Sequence, residues 1–154
     1  MDYVPFTQLA AEFLEIAHGQ VWAAVATVDA QNRPWTRTLH PIWSLDDGSA
    51  VGWVLTSRYS LKAKHLAYSP YASVAYAKDP VRPLTIECHA AWVDDRAEIK
   101  RVWEWFKRTP EPLGYDPALT WPSSDGPEVG LLMLTPWRLT LGHLGGPWLG
   151  WRAD

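Results

Sequence analysis

Apolar residues recur at helical spacing along the first stretch of the chain, at Phe6, Leu9, Phe13, Leu14, Ile16 and Ala17, and Gly19 follows as a stop signal. The sequence therefore opens with an amphipathic helix. The period then changes to two. Residues 21–28 read as a buried strand, 29–34 as its turn, and 35–45 as a second strand closed by Asp46-Asp47-Gly48. A third strand is predicted over 50–56, a short helix over 60–68 that stops at Ser69-Pro70, and a fourth strand over 72–78. A fifth strand spans 84–93. Asp94-Asp95 then cap a helix running to Arg108, whose Ile99, Val102, Trp103 and Phe106 form one stripe. Residues 109–128 are rich in proline and read as a long irregular loop, which in a compact domain is usually functional or disordered. Tyr115 and Trp121 favour an ordered one. A sixth strand follows over 130–141, and the Gly- and Trp-rich tail shows no clear period. Six hairpin-linked strands with three helices predict a mainly β protein with flanking helices. The strands form a closed or nearly closed antiparallel barrel, because closure removes exposed edges, and the whole chain, 1–154, is one domain.

Composition narrows the partners. With 47% apolar and 20% charged residues over 154 positions, the chain is an ordinary globular domain that buries roughly two thirds of its unfolded surface. Its eleven tryptophans suit either plain core filling or a protein that stacks on ring systems and buries a large interface. A formal charge of −3 offers no basic field, which argues against nucleic acid and against an anionic membrane as partners. The N-terminus lacks the basic start and apolar core of a signal peptide, and the longest apolar run is far too short to span a bilayer, so a soluble cytoplasmic protein is expected. The single cysteine, Cys88, fits a reducing compartment, and its apolar neighbours Ile86 and Ala90 read as those of a plain buried thiol. The histidines, His18, His40, His65, His89 and His143, lack ligand spacing, so no metal site is expected.

Two segments carry candidate chemistry. In Arg37-Thr38-Leu39-His40-Pro41-Ile42, a base and an imidazole interrupt an apolar strand, and alternation places Arg37 and Leu39 on one face with Thr38 and His40 on the other. An ordinary half-exposed strand reads the same way. The second segment runs Leu55-Thr56-Ser57-Arg58-Tyr59-Ser60-Leu61-Lys62-Ala63-Lys64, where a strand gives way to a helix. Orphan N–H groups and the positive end of the helix dipole make such a junction an anion site, which hydroxyls and ammonium groups complete. A phosphate fits there, although an N-capping Ser60 with solvated lysines is the plainer alternative. Further on, Gly114-Tyr115-Asp116-Pro117 reads either as a simple turn or as a lid.

Taken in order, RTLHPI followed by VLTSRYSLKAKHLAYSP resembles the flavin-binding signature of the pyridoxamine 5'-phosphate oxidase-like split-barrel family. The resemblance covers residues 21–93 well and 130–141 loosely. It implies a six-stranded antiparallel split barrel, FMN as cofactor with the deazaflavin coenzyme F-420 as the alternative, and a homodimer acting on a small-molecule substrate. By the same resemblance Arg37 and Lys62, with Thr56, Ser57 and Ser60, hold the phosphate, while Thr38, Leu39, His40 and Pro41 run along the ring beside Leu55. Trp137 or Arg138 from the second subunit would complete the site. Leu61 stands where relatives often carry a second base, so Arg58 or Lys64 would have to supply that contact. No arginine has a histidine two places on, so the substrate clamp of true pyridoxamine phosphate oxidases is missing and vitamin B6 oxidation is not implied. The expected activity is flavin-dependent oxidoreduction. A non-catalytic flavin- or haem-binding module is the alternative from another class.

Overall fold

A computed structural model describes residues 1–153. Its elements are β1 (Asp2–Tyr3), α1 (Phe6–Gln20), β2 (Ala23–Val28), β3 (Pro34–Leu39), β4 (Ile42–Asp46), β5 (Ser49–Ser57), α2 (Leu61–Tyr68), β6 (Tyr71–Tyr76), β7 (Leu84–Val93), α3 (Arg96–Arg108), a 3-10 turn (Pro117–Leu119), β8 (Val129–Leu141) and β9 (Leu149–Arg152). Nine strands form one mixed sheet, in the order β1-β9-β8-β7-β6-β2-β3, with the β4-β5 hairpin attached to β8 through β5. The fold is mainly β with flanking helices, a split barrel as the sequence predicts.

The departures from the sequence reading have local causes. The strand predicted over 35–45 is two strands, because Pro41 brings no N–H to a ladder and the chain changes partner there. Before it β3 pairs with β2, from Ala23↔Leu39 to Val28↔Pro34; beyond it β4 pairs with β5, from Ile42↔Trp53 to Asp46↔Ser49. The tail that showed no period supplies β9, which pairs with β8 and, in parallel, with β1, so the sheet is mixed. Gly19 does not end α1, which continues to Gln20 and stops at Val21, a β-branched residue held at φ 67°.

Alternation sorts the core. Ala23, Val25, Val74, Ile86, Leu132 and Leu134 point to one interior, plugged by Phe6, Leu9, Phe13 and Ile16 of α1. At its centre Trp43 lies over Gly52, where a Cβ would meet the indole at 2.8 Å, and its Nε1 donates to Tyr76 Oη at 2.9 Å. The backbone N–H of Trp43 donates to His18 Nε2 at 3.0 Å, tying the helix to β4. The outward residues of the same strands, Ile42, Leu55, Val129 and Leu131, receive the α3 stripe of Ile99, Val102, Trp103 and Phe106. Each such side chain contributes roughly 1.5–3 kcal/mol when fully buried. Asp95 caps α3 by accepting the Ala97 N–H at 2.9 Å.

The ladder is not closed by hydrogen bonds. Residues 54–57 of β5 pair with β8 on one side only, because β4 reaches no further than Trp53, and β3 ends the other branch of the sheet. Two unpaired strand edges therefore flank a slot, joined at one end by His40-Pro41.

Candidate functional site

The buried polar and charged residues of the described chain are Thr27, Asp29, His40, Thr56, Lys62 and His65, and all of them sit at or behind this slot. Buried polar groups are costly unless paired, so their concentration marks the place where the fold gives up stability for chemistry. Asp29 shapes the near end. Its carboxylate accepts the N–H groups of Gln31 and Arg33 and the Nε1–H of Trp35, fixing the turn from which β3 starts.

From that turn β3 carries Arg37 opposite Val25, on the side facing the barrel interior, under α2. Arg37 donates to the Val25 carbonyl at 3.1 Å and to Thr27 Oγ1 at 2.8 Å. The Thr27 hydroxyl, having accepted from Arg37, is left to donate to Nδ1 of the buried His65 at 2.9 Å. This chain aims the guanidinium. Lys62, only 7% exposed, reaches back to donate to Ser60 Oγ at 2.9 Å. Burial first, and then the Arg37 charge beside it, pull the Lys62 ammonium down to about 8. Among the described residues neither cation is paired with a carboxylate.

The helix start adds to this. Ser60 occupies the N-cap position of α2, yet its side chain makes no cap bond, because its Oγ is taken up by Lys62. The Ala63 N–H donates to the Ser60 carbonyl at 3.0 Å, which leaves the N–H groups of Leu61 and Lys62 at the helix start beside two uncompensated cations and the hydroxyls of Thr56 and Ser57. A dianionic phosphate answers all of these at once. Arg58 does not join the group: its guanidinium lies 4.6 Å from the Trp92 ring centroid, with Asp94 beyond it. Leu61, at the position of the absent second base, is exposed.

Beyond the cations the slot opens into a cavity of about 480 Å³. Thr38, Leu39, His40 and Leu55 line its near side, so four residues named from sequence as ring-lining come together here. Pro41 is buried behind them. The far wall comes from the proline-rich loop, through Pro112, Gly114, Tyr115, Leu119 and Trp121. That wall is pinned rather than loose. His40 Nε2–H donates to the Leu113 carbonyl at 2.6 Å, and the imidazole lies 4.8 Å from both the Trp22 and the Tyr115 rings. Burial lowers the His40 pKa, the carbonyl opposing it, so the ring is neutral. Gly114 turns the loop where a Cβ would strike the Thr109 carbonyl.

Of the loop wall the sequence offered Gly114-Tyr115-Asp116-Pro117 as a turn or a lid and the aromatic signal of Trp121; it missed Pro112, Leu119, Trp22 and the Thr27–His65 pair behind Arg37. No local signal announces that pair. Trp137 lies elsewhere in this chain, on the outer face of the sheet, beside a groove of about 280 Å³ lined also by Tyr71, Ser73 and Glu87. Among the described residues, no group of three or more His, Cys, Asp or Glu comes together, and no helix is long and apolar enough to cross a membrane.

Comparison with known proteins gives a consistent picture. A family model described as pyridoxamine 5'-phosphate oxidase matches residues 7–114. Among proteins of curated description none matches the sequence. A solved structure from Clostridium acetobutylicum, of a protein related to general stress protein 26 of B. subtilis and placed in the pyridoxinephosphate oxidase family, superposes with a TM-score of 0.75 at 15% identity, covering 96% of each chain. A pyridoxamine 5'-phosphate oxidase-related, FMN-binding protein from Nostoc punctiforme superposes at 0.67 with 16% identity, covering 98% of this chain and 97% of that one. The haem storage protein HutZ of Vibrio cholerae superposes at 0.60 with 21% identity, covering 83% and 89%. At these identities the likeness is one of fold.

Proposed function

The chain belongs to the pyridoxamine 5'-phosphate oxidase family, and we propose that it is an FMN-binding oxidoreductase whose cofactor lies in the slot between β3 and β5. The observation that carries this reading is the pairing of the buried Lys62 with the half-buried Arg37, two neighbouring cations without an acidic partner at an uncapped helix start. Arg37, Thr56, Ser57, Ser60 and Lys62 would hold the phosphate. The free edge of β3 would offer backbone donors and acceptors to a heteroaromatic ring along Thr38, Leu39 and His40, with Leu55 beneath it. Flavin, when bound, supplies hydride chemistry; the protein positions the ring, and the loop wall keeps water from it. His40, fixed through Nε2 by the Leu113 carbonyl, keeps its Nδ1 as an acceptor.

The same reading includes a homodimer. On the outer face Glu87 Oε2 and Arg138 Nε are buried without a partner, next to the exposed rings of Tyr71 and Trp137. Neighbouring opposite charges and exposed aromatics on one sheet face suit a two-fold contact with a second copy. Light scattering that gives a monomer with full flavin affinity refutes this part.

A haem-binding reading draws support from the HutZ likeness, but His40 is the one imidazole lining the cavity and its Nε2 is already given to a carbonyl. The deciding experiment is the absorbance spectrum of the purified protein, followed by titration with FMN, riboflavin, coenzyme F-420 and haem. Tighter binding of FMN than of riboflavin is the expected result. A preference for F-420 or haem, or equal affinity for FMN and riboflavin, overturns it.

A further inference from the structure

The cavity, about 480 Å³, has two unlike sides. Its near side is the β3 edge and Leu55, and its far side is Pro112, Tyr115, Leu119 and Trp121, so a second flat ligand has a wall of its own facing the first. That wall is preformed. Tyr115 packs on Phe106 at 5.7 Å between ring centroids and its N–H donates to the Phe106 carbonyl at 3.2 Å; Trp121 packs on Trp103 at 6.4 Å. A site already ordered by α3 holds an aromatic ligand without first having to fold around it.

Charge sets the rest. The residues lining the cavity include no lysine or arginine, and Glu111 is the one acidic side chain among them. The cations of the site are Arg37 and Lys62, and neither lines this cavity. Both would be engaged by the cofactor phosphate. An anionic ligand would meet Glu111 with nothing to offset it, whereas an uncharged aromatic one would meet three aromatic side chains, Trp22, Tyr115 and Trp121.

We infer that the substrate is a flat aromatic molecule that carries no phosphate, carboxylate or sulfonate, selected by the aromatic wall of the 111–121 loop and screened by Glu111. This rests on the flavin reading for what lies on the β3 side, but the charge preference belongs to the loop wall and can be read without flavin.

The test uses two probes with the same ring system, 1,4-naphthoquinone and its 2-sulfonate, titrated into FMN-loaded protein by calorimetry and, by tryptophan quenching, into flavin-free protein saturated with inorganic phosphate so that Arg37 and Lys62 are already engaged. The neutral probe should bind at least about tenfold more tightly in both. Glu111→Lys, at an exposed position whose change leaves the fold intact, should bring the two affinities together by strengthening the sulfonate and leaving the neutral probe unchanged. Trp121→Ala should weaken the neutral probe about tenfold. Because Trp121 also packs on Trp103, Leu119→Asp, at a residue 85% exposed, serves as a second variant and should widen the gap between the probes. Equal binding of the two probes by the wild type, or tighter binding of the sulfonate, overturns the inference. Failure of FMN to bind, with the neutral preference intact in flavin-free protein, overturns the flavin reading and leaves the wall's selectivity supported.

Discussion

Replacing Lys62 by Met separates what the site costs from what it does. The gap between an ordinary lysine at 10.5 and Lys62 at about 8 corresponds to roughly 3 kcal/mol of preference for the neutral amine, at about 1.36 kcal/mol per pH unit. The unfolded chain keeps its proton up to 10.5 and the folded chain only to about 8, so between these values the unfolded state binds more protons and stability rises with pH. Below 8 the penalty is present in full. Lys62→Met removes it, and at pH 7 the ligand-free protein should gain about 1–3 kcal/mol, or very roughly 2–10 °C in melting temperature for a chain of this size. Its stability should also lose the rise between pH 8 and 10.5. The same change takes a charged hydrogen-bond donor from the phosphate, worth about 1.5–3 kcal/mol, so FMN should bind about ten- to a hundredfold more weakly. Riboflavin, which lacks the phosphate, should be unaffected. Thermal melts at several pH values and fluorescence titration with both flavins read all of this. A variant less stable than the wild type without ligand, or one that loses FMN and riboflavin equally, refutes the reasoning.

Other outcomes follow from the same geometry. Wild-type FMN affinity should fall as pH rises above about 8, where Lys62 gives up its proton, by up to about tenfold per pH unit, and riboflavin affinity should stay flat; a flat FMN profile would contradict the assignment of Lys62. His65→Leu should weaken FMN about two- to tenfold by freeing Thr27 and with it Arg37, and His65→Asn should restore binding. In a double-mutant cycle with Thr27→Val, fully additive losses would show that the two residues do not act as one chain. Gly114→Ala should cost about 1–3 kcal/mol and open the loop wall, read as a lower melting temperature together with weaker binding of aromatic probes. Burial lowers the His18 and His40 pKa values below 6.5, so the unfolded chain takes up protons first as pH falls and stability should decline below about 6.5; His18→Gln, which keeps an acceptor for Trp43 N–H, should flatten part of that decline in melts run from pH 7 to 5.

Much of the fold is local physics and was legible in the sequence. The change from helical to alternating period after Ala17 reflects which face of each segment meets water, and that pattern needs no partner to be visible. Ser60 through Lys62 at a strand-to-helix junction likewise marks a candidate anion site, because the orphan N–H groups belong to the helix start itself. The resemblance carried by RTLHPI and TSRYSLKAK located both lips of the slot.

Tertiary structure alone decided the rest, because those features are choices of partner between distant residues. Pro41 shows that a ladder must break, but not that β3 goes to β2 while β4 goes to β5, and the slot exists only through that divergence. His65 is 38 residues from Thr27 and Leu113 is 73 from His40, so neither the chain that aims Arg37 nor the loop that walls the cavity has a local signature. The sign of the Lys62 effect belongs here too. A lysine in sequence is a solvated cation by default; only the closing of α2 over β2 buries it beside Arg37 and turns it into a charge without a partner among the described residues.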